Sequence, residues 1–166
     1  MYRRILLTHD GSELADQAVT HAGALAKATG AEVVVLQIVD SVSQIMAQMA
    51  PVSMEPMSAG PATVDIAEES VSSQHQEADQ NLAAVRATLE AAGAPKVTVV
   101  VAEGRPQDAI VEAAEQLGCD LVVMATHGRS GLGRVLLGSV ADHVVRNTAN
   151  AAVLLIRPSE PDAKRD

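Results

Sequence analysis

Five short β-branched apolar runs, separated by longer stretches of helical pattern, limit this chain to a narrow set of architectures. The runs are Ile5-Leu6-Leu7, Val33 to Val39, Val97 to Val101, Leu121 to Met124 and Val153 to Ile156. Gln37 and Thr98 apart, each is apolar at consecutive rather than alternate positions, the pattern of a strand covered on both faces. Between them Leu14, Ala18, Ala22 and Leu25 recur at helical spacing before Gly30. Ile110, Val111, Ala114 and Leu117 do the same between Pro106 and Gly118. Proline suits a first helical turn and glycine a C-terminal stop. Asp65 to Ala92 is the longest expected helix, closed by Gly93 and Pro95, and a short one follows Gly138-Ser139. Strand and helix in alternation build a parallel sheet with right-handed crossovers and helices on both faces. The expected fold is a single open, doubly wound α/β sheet of Rossmann-like type. Ligands of such sheets bind beyond the C-terminal strand ends, where the strand order reverses.

One segment interrupts the alternation. Residues 41–64 carry Met46, Met49, Met54 and Met57 with Pro51, Pro56 and Pro61 spaced among them. Proline at that frequency forbids a long regular helix, so a loop with one helical turn at its start is expected. Methionines there suit an adaptable lid or partner surface, and a disordered crossover loop fits equally well. No internal repeat or second domain is evident. The 166 residues divide into one domain over 1–158, this insertion included, and a charged tail over 159–166.

Composition removes several function classes. The net charge is −9 and the only aromatic residue is Tyr2, which excludes both a broadly phosphate-neutralising surface and a stacking platform for bases. Cys119, the sole cysteine, excludes an internal disulfide and a multi-thiolate metal site, and reads as a small buried hydrophobe. No apolar stretch reaches the ~18 residues of a membrane span, and the apolar run after Arg4 is too short for a signal-peptide core. A soluble, cytoplasmic protein without nucleic-acid or membrane partners is the expectation.

Chemistry concentrates in Ala125-Thr126-His127-Gly128-Arg129-Ser130-Gly131-Leu132-Gly133-Arg134-Val135-Leu136-Leu137-Gly138-Ser139. This stretch follows a strand and precedes a helix. Glycine lets backbone N–H groups approach an anion, and a helix N-terminus adds partial positive charge. Ser139 is placed to cap that helix and to donate to a phosphate oxygen. Residues 121–150 also hold Arg129, Arg134 and Arg146 against Asp142 alone, a cationic patch on an acidic chain. The alternative is a glycine-rich turn that only links strand to helix. Neither the P-loop nor the dinucleotide pattern fits, since no lysine occurs between Lys96 and Lys164 and Gly131-Leu132-Gly133 is not continued by a third glycine at the required spacing.

These residues resemble the universal stress protein family, in particular its ATP-binding members. The likeness runs through Ile5-Leu6-Leu7-Thr8-His9-Asp10-Gly11-Ser12, Val33 to Asp40, Glu103 through Ala113 and Asp120 to Pro158. The family's ATP-binding pattern G-x2-G-x9-G-[S/T] reads here Ala125-x2-Gly128-x9-Gly138-Ser139, with alanine at the first position. Thr8 is a second departure, since many relatives carry proline there. The resemblance implies an adenine nucleotide alpha-hydrolase-like sheet of order 3-2-1-4-5 and a site across the ends of its first, second and fourth strands. It implies that Asp10 and Val39 face adenine beside Thr8, and that Met124, Ala125 and Gly128 line ribose and phosphates. Gly138, Ser139 and Val140 would hold phosphates from the helix N-terminus. His127, Arg129 and Gly131 complete the candidate nucleotide-binding set, with His127 equally readable as a solvent-facing loop residue. The implied ligand is ATP with Mg²⁺. The implied assembly is a homodimer through the edge strand Val153 to Ile156, with an unidentified regulatory protein partner.

Other polar residues read more simply. Asp10 also suits a turn or helix-capping carboxylate. His9 and His21 lack partners at metal-ligand spacing, and Asp65, Glu68, Glu69, Glu77 and Asp79 read as a solvated helix face. No acid pair for a metal and no clear base accompany the arginines, so slow ATP hydrolysis or autophosphorylation is the most chemistry expected. The leading expectation is a nucleotide-responsive regulatory dimer of stress response. A nucleotide-independent interaction module and a slow ATPase are the alternatives.

Overall fold

The five apolar runs pair into one parallel sheet in the computed structural model, which describes residues 1–49, 61–126 and 138–157. The strands are β1 (Arg4–Thr8), β2 (Glu32–Val39), β3 (Val97–Glu103), β4 (Leu121–Ala125) and β5 (Ala152–Ile156). They lie in the order β3-β2-β1-β4-β5. The helices are α1 (Glu13–Thr29), α2 (Val42–Met49), α3 (Pro61–Ala92), α4 (Pro106–Gln116) and α5 (Ser139–Asn147). Register is continuous across the sheet, with Leu6 paired to both Val34 and Val122.

Alternate side chains of each strand enter opposite layers, which is why the runs are apolar throughout. Ile5, Leu7, Val33, Val35, Val97, Leu121 and Val123 pack with Ala18, Ala22 and Ala26 of α1 and Leu82, Val85 and Leu89 of α3. Leu6, Val34, Leu36, Val122 and Met124 pack on the other face with Ile110 and Ala114 of α4 and Ala141 and Val144 of α5. Cys119 belongs to this second layer at 4 % exposure, and burial pushes its thiol pKa up, as a small core residue requires.

Helix faces and ends differ in part from the sequence expectation. In α1 the buried positions are Ala15, Ala18, Val19, Ala22, Gly23 and Ala26, while Leu14 and Leu25 are only half-buried. The small residues turn inward because α1 lies close against α3: a Cβ on Gly23 would come within 3.1 Å of the Cβ of Ala92. The insertion is also more helical than expected. α2 runs for eight residues, and α3 begins at Pro61, where a missing N–H costs nothing in a first helical turn. Ile45 of α2 packs on Ala67 and Val71 of α3, with Val42 and Met46 alongside. Met49 is exposed, whereas Met54 and Met57 lie outside the described residues. The acidic positions 65, 68, 69, 77 and 79 are exposed on α3, as their spacing implied. Among the described residues no helix is long and apolar enough to cross a membrane.

Candidate nucleotide site

The strand order reverses between β1 and β4, since β1 is followed outward by β2 on one side and by β4 on the other. A crevice must open there, because α1 leaves β1 toward one face and α5 follows β4 on the opposite face. The cleft has a volume of about 250 Å³. Thr8, His9 and Asp10 line it at the C-terminal end of β1, Met124, Ala125 and Thr126 at that of β4, and Gly138, Ser139 and Val140 at the start of α5. Ile38 of β2 and Pro106 and Ile110 of α4 complete its apolar wall.

The β1 turn is fixed by two interlocked side-chain contacts. Oδ1 of Asp10 accepts from the backbone N–H of Ser12 at 3.1 Å and from its hydroxyl at 2.6 Å. Ser12, not Asp10, caps α1, its Oγ accepting from the N–H of Ala15. Asp10 thus serves as a turn carboxylate while also lining the cleft, and its Oδ2 has no hydrogen bond among the described residues. Between them Gly11 adopts φ 82°, a left-handed conformation that favours glycine.

Across the cleft the α5 terminus is set by β4. The N–H of Gly138 donates to the carbonyl of Thr126 at 3.0 Å, and the N–H of Thr126 donates to Ile156 at 2.9 Å. This corrects the expectation for Ser139. Gly138 holds the N-cap position and supplies no side-chain acceptor, so Ser139 is the first helical residue and does not cap. Ser139 and the first turn of α5 thus line the cleft with no side-chain cap among the described residues, a local concentration of donors and partial positive charge. Ala125 lies within β4 in register with Ile156, so its backbone is extended and its methyl group imposes no conformational strain.

Seven of the expected residues meet in this one cleft: Thr8, Asp10, Met124, Ala125, Gly138, Ser139 and Val140. Val39 is buried at the end of β2 with its carbonyl accepting from Gly104, and the neighbouring Ile38 supplies the wall. His127, Gly128, Arg129 and Gly131 lie outside the described residues, as does Arg134. Arg146 is not part of the cleft. It sits in the last turn of α5 and grips Asp142 through Nε at 2.9 and 3.0 Å. That hydrogen bond is the main reason the Asp142 pKa falls below its ordinary value.

Thr126 falls in the stretch singled out from the sequence but not in its candidate set; His9, Ala15 and Ala141, with Ile38, Pro106 and Ile110, carry no local signal that places them in the cleft. The last two stand at the start of a helix whose crossover could not be placed over the cleft from local pattern. Among the described residues no group of three His, Cys, Asp or Glu side chains is arranged to hold a metal ion.

Fold and cleft together define a doubly wound α/β protein with a cleft at its switch point, where ligands of such sheets bind. The sequence profile of the universal stress protein family matches residues 1–157, and the chain belongs to that family. Universal stress protein MJ0531 of Methanocaldococcus jannaschii is 37 % identical over 157 residues, covering 95 % of this chain and 83 % of the relative. The structure of MJ0577 from the same organism aligns with a TM-score of 0.77 at 28 % identity, over 97 % of this chain and 99 % of that one. A universal stress protein solved in complex with cAMP aligns at 25 % identity and a TM-score of 0.63, over 93 % and 96 % of the two chains.

Proposed function

We propose that this protein binds ATP in the switch-point cleft and acts as a nucleotide-responsive regulator rather than as a fast enzyme. The observation that carries the reading is the convergence of the Asp10 turn and the first turn of α5 on one apolar-walled cleft. An adenine nucleotide needs these three things: a polar group for its base or sugar, an aliphatic surface for the ring, and donors for its phosphates. Ile38, Met124 and Val140 supply the aliphatic surface that an aromatic residue supplies elsewhere. At about 250 Å³ the cleft is sized for a base and its sugar, with the phosphates reaching over Gly138 and Ser139. Mg²⁺ would be carried by the phosphates and water, as is usual for that ion. The relative solved with cAMP supports an adenine nucleotide as the ligand class.

The regulatory half of the proposal rests on β5. It ends the sheet, with Val153, Leu154 and Leu155 only half-buried, and an apolar edge of this kind pairs readily with a second copy. We place a cytoplasmic homodimer there, whose conformation nucleotide would bias for a partner to read.

Ultraviolet absorption tests the ligand assignment directly, because the chain has one tyrosine and no tryptophan. Protein equilibrated with ATP and freed of excess nucleotide should absorb maximally near the adenine band, and denaturation should release intact ATP. A filtrate free of adenine compounds would refute the proposal, and retention of cAMP in preference to ATP would reassign the ligand. Sedimentation at twice the chain mass supports the dimer, and a monomer at high concentration refutes it.

A further inference from the structure

Directly under the Asp10 turn the protein buries a polar cluster that nucleotide binding alone does not require. His9 is 3 % exposed and Gln37 of β2 is 7 % exposed, both within otherwise apolar surroundings. One amide nitrogen satisfies both. Nδ2 of Asn81, in the middle of α3, donates to Nδ1 of His9 at 2.9 Å and to Oε1 of Gln37 at 2.7 Å. The backbone N–H of Gly11 donates to the same Nδ1 at 3.2 Å. An imidazole nitrogen that accepts from two donors carries no proton, so the ring proton sits on Nε2 and donates to Oδ1 of Asp16 at 3.1 Å.

The geometry assigns Asn81 as a positioning residue for the β1 turn, acting through the His9 ring on Gly11 and hence on Asp10. Burying the His9 and Gln37 side chains is costly unless each is hydrogen-bonded, and the half-buried Asn81 supplies both bonds while orienting the groups it holds. Asn81 selects the tautomer and tilt of His9, His9 holds the N–H of the left-handed Gly11, and Gly11 sets the angle at which Asp10 enters the cleft. Apolar contacts of α3 through Leu82, Val85 and Leu89 secure the helix but cannot fix this turn. Gln74, seven residues before Asn81, makes a parallel link by accepting from the N–H of Asp40 at 3.0 Å. Helix α3 is thereby registered against the C-terminal ends of both β1 and β2. The consequence for affinity rests on the nucleotide reading above, whereas the geometry does not.

The test follows the His9 ring nitrogens and the Gly11 amide by ¹⁵N NMR, alongside calorimetric ATP titration and the melting temperature, in wild type, Asn81→Ala and Asn81→Asp. Wild-type His9 should show an acceptor-type Nδ1 and a protonated Nε2. Asn81→Ala should average the two tautomers, shift Gly11 and weaken ATP about tenfold, roughly the loss of one oriented hydrogen bond. The isosteric Asn81→Asp removes the donor and should draw the proton to Nδ1, opposing the Gly11 N–H and weakening ATP at least as much. If the alanine variant does not fold, the aspartate variant carries the test. A folded variant with unchanged His9 and Gly11 signals, or with altered signals and wild-type affinity, overturns the assignment even where its melting temperature falls. A wild type that takes no ATP overturns the nucleotide reading instead, and the positioning claim then stands or falls on the nitrogen shifts alone.

Discussion

Where β1 to β4 begin, backbone and charge are fastened to one another; where β1 and β4 end, donors and a carboxylate oxygen face a cleft. At the beginning, Glu32 accepts from Arg4 at 3.0 Å and from Lys96 at 3.0 Å, and the Arg4 guanidinium also donates to the carbonyl of Leu117 at 2.6 Å. Asp120 accepts from the N–H groups of Arg3 and Arg4. At the other end the same residue types are used differently. Asp10 lines the cleft, commits Oδ1 to its own turn and leaves Oδ2 without a hydrogen bond among the described residues, and α5 starts at a glycine that offers no side-chain cap. Both ends belong to the same paired strands, so the difference lies in the residues beyond them. One end closes the sheet, and the other leaves bonding capacity that the proposed nucleotide would use.

The comparison predicts that substitutions at the two ends affect different measurements. Asp10→Ala should weaken ATP about a hundredfold, since a hydrogen bond involving a charged group contributes ~1.5–3 kcal/mol, while the melting temperature falls by less than in Asp120→Ala, because Ser12 still caps α1. A parallel calorimetric titration and melt of the variant would show it. At the opposite end Asp120→Ala should do the reverse. It leaves the Arg3 and Arg4 N–H groups without their acceptor and should cost about 2 kcal/mol, or roughly 4–8 °C for a chain of this size, with ATP affinity unchanged. A loss of affinity in Asp120→Ala would mean that the two ends are not separable.

Smaller changes sharpen the contrast. Ala125→Gly restores the family's glycine, yet position 125 is extended and paired with Ile156. It should leave affinity within about threefold and destabilise by ~0.5–1 kcal/mol through added chain entropy, read from urea midpoints. The smallest effect concerns acid. Hydrogen bonds from Lys96 and then Arg4 hold the Glu32 pKa below its ordinary 4.5. For Asp120 burial works the other way, but the N–H groups of Arg4 and Arg3 prevail and hold it below 3.8. A depressed carboxylate pKa contributes stability that is full above its unfolded value and is lost as pH falls through the folded one. Stability should therefore decline below about pH 4.5, and Glu32→Gln should shallow that decline in a pH series of melts while leaving nucleotide binding intact.

Much of this was legible in the sequence. Consecutive apolar residues marked the strands because both layers of the sheet are filled, as Leu6 and Leu7 illustrate by entering opposite cores. The positions after β1 and β4 marked the cleft because topology puts every ligand of such a sheet there. Local pattern failed where distance along the chain decides. His9 reads in the sequence only as a candidate metal ligand, for its partner Asn81 lies 72 residues away with nothing in the intervening sequence to announce it. The residue type of Ser139 suggests a cap for α5, but the Gly138 bond to Thr126 begins the helix one residue earlier. Prolines hid α2 and the start of α3, because a proline in a first turn looks the same in sequence as one in a loop.

The central claim is that the C-terminal end of the sheet is a nucleotide site, and calorimetric titration of nucleotide-stripped protein with Mg-ATP, with GTP as control, tests it most directly. Saturable heat with ATP at one site per chain, and none with GTP, is the predicted result. No heat and no thermal stabilisation at millimolar ATP would contradict it.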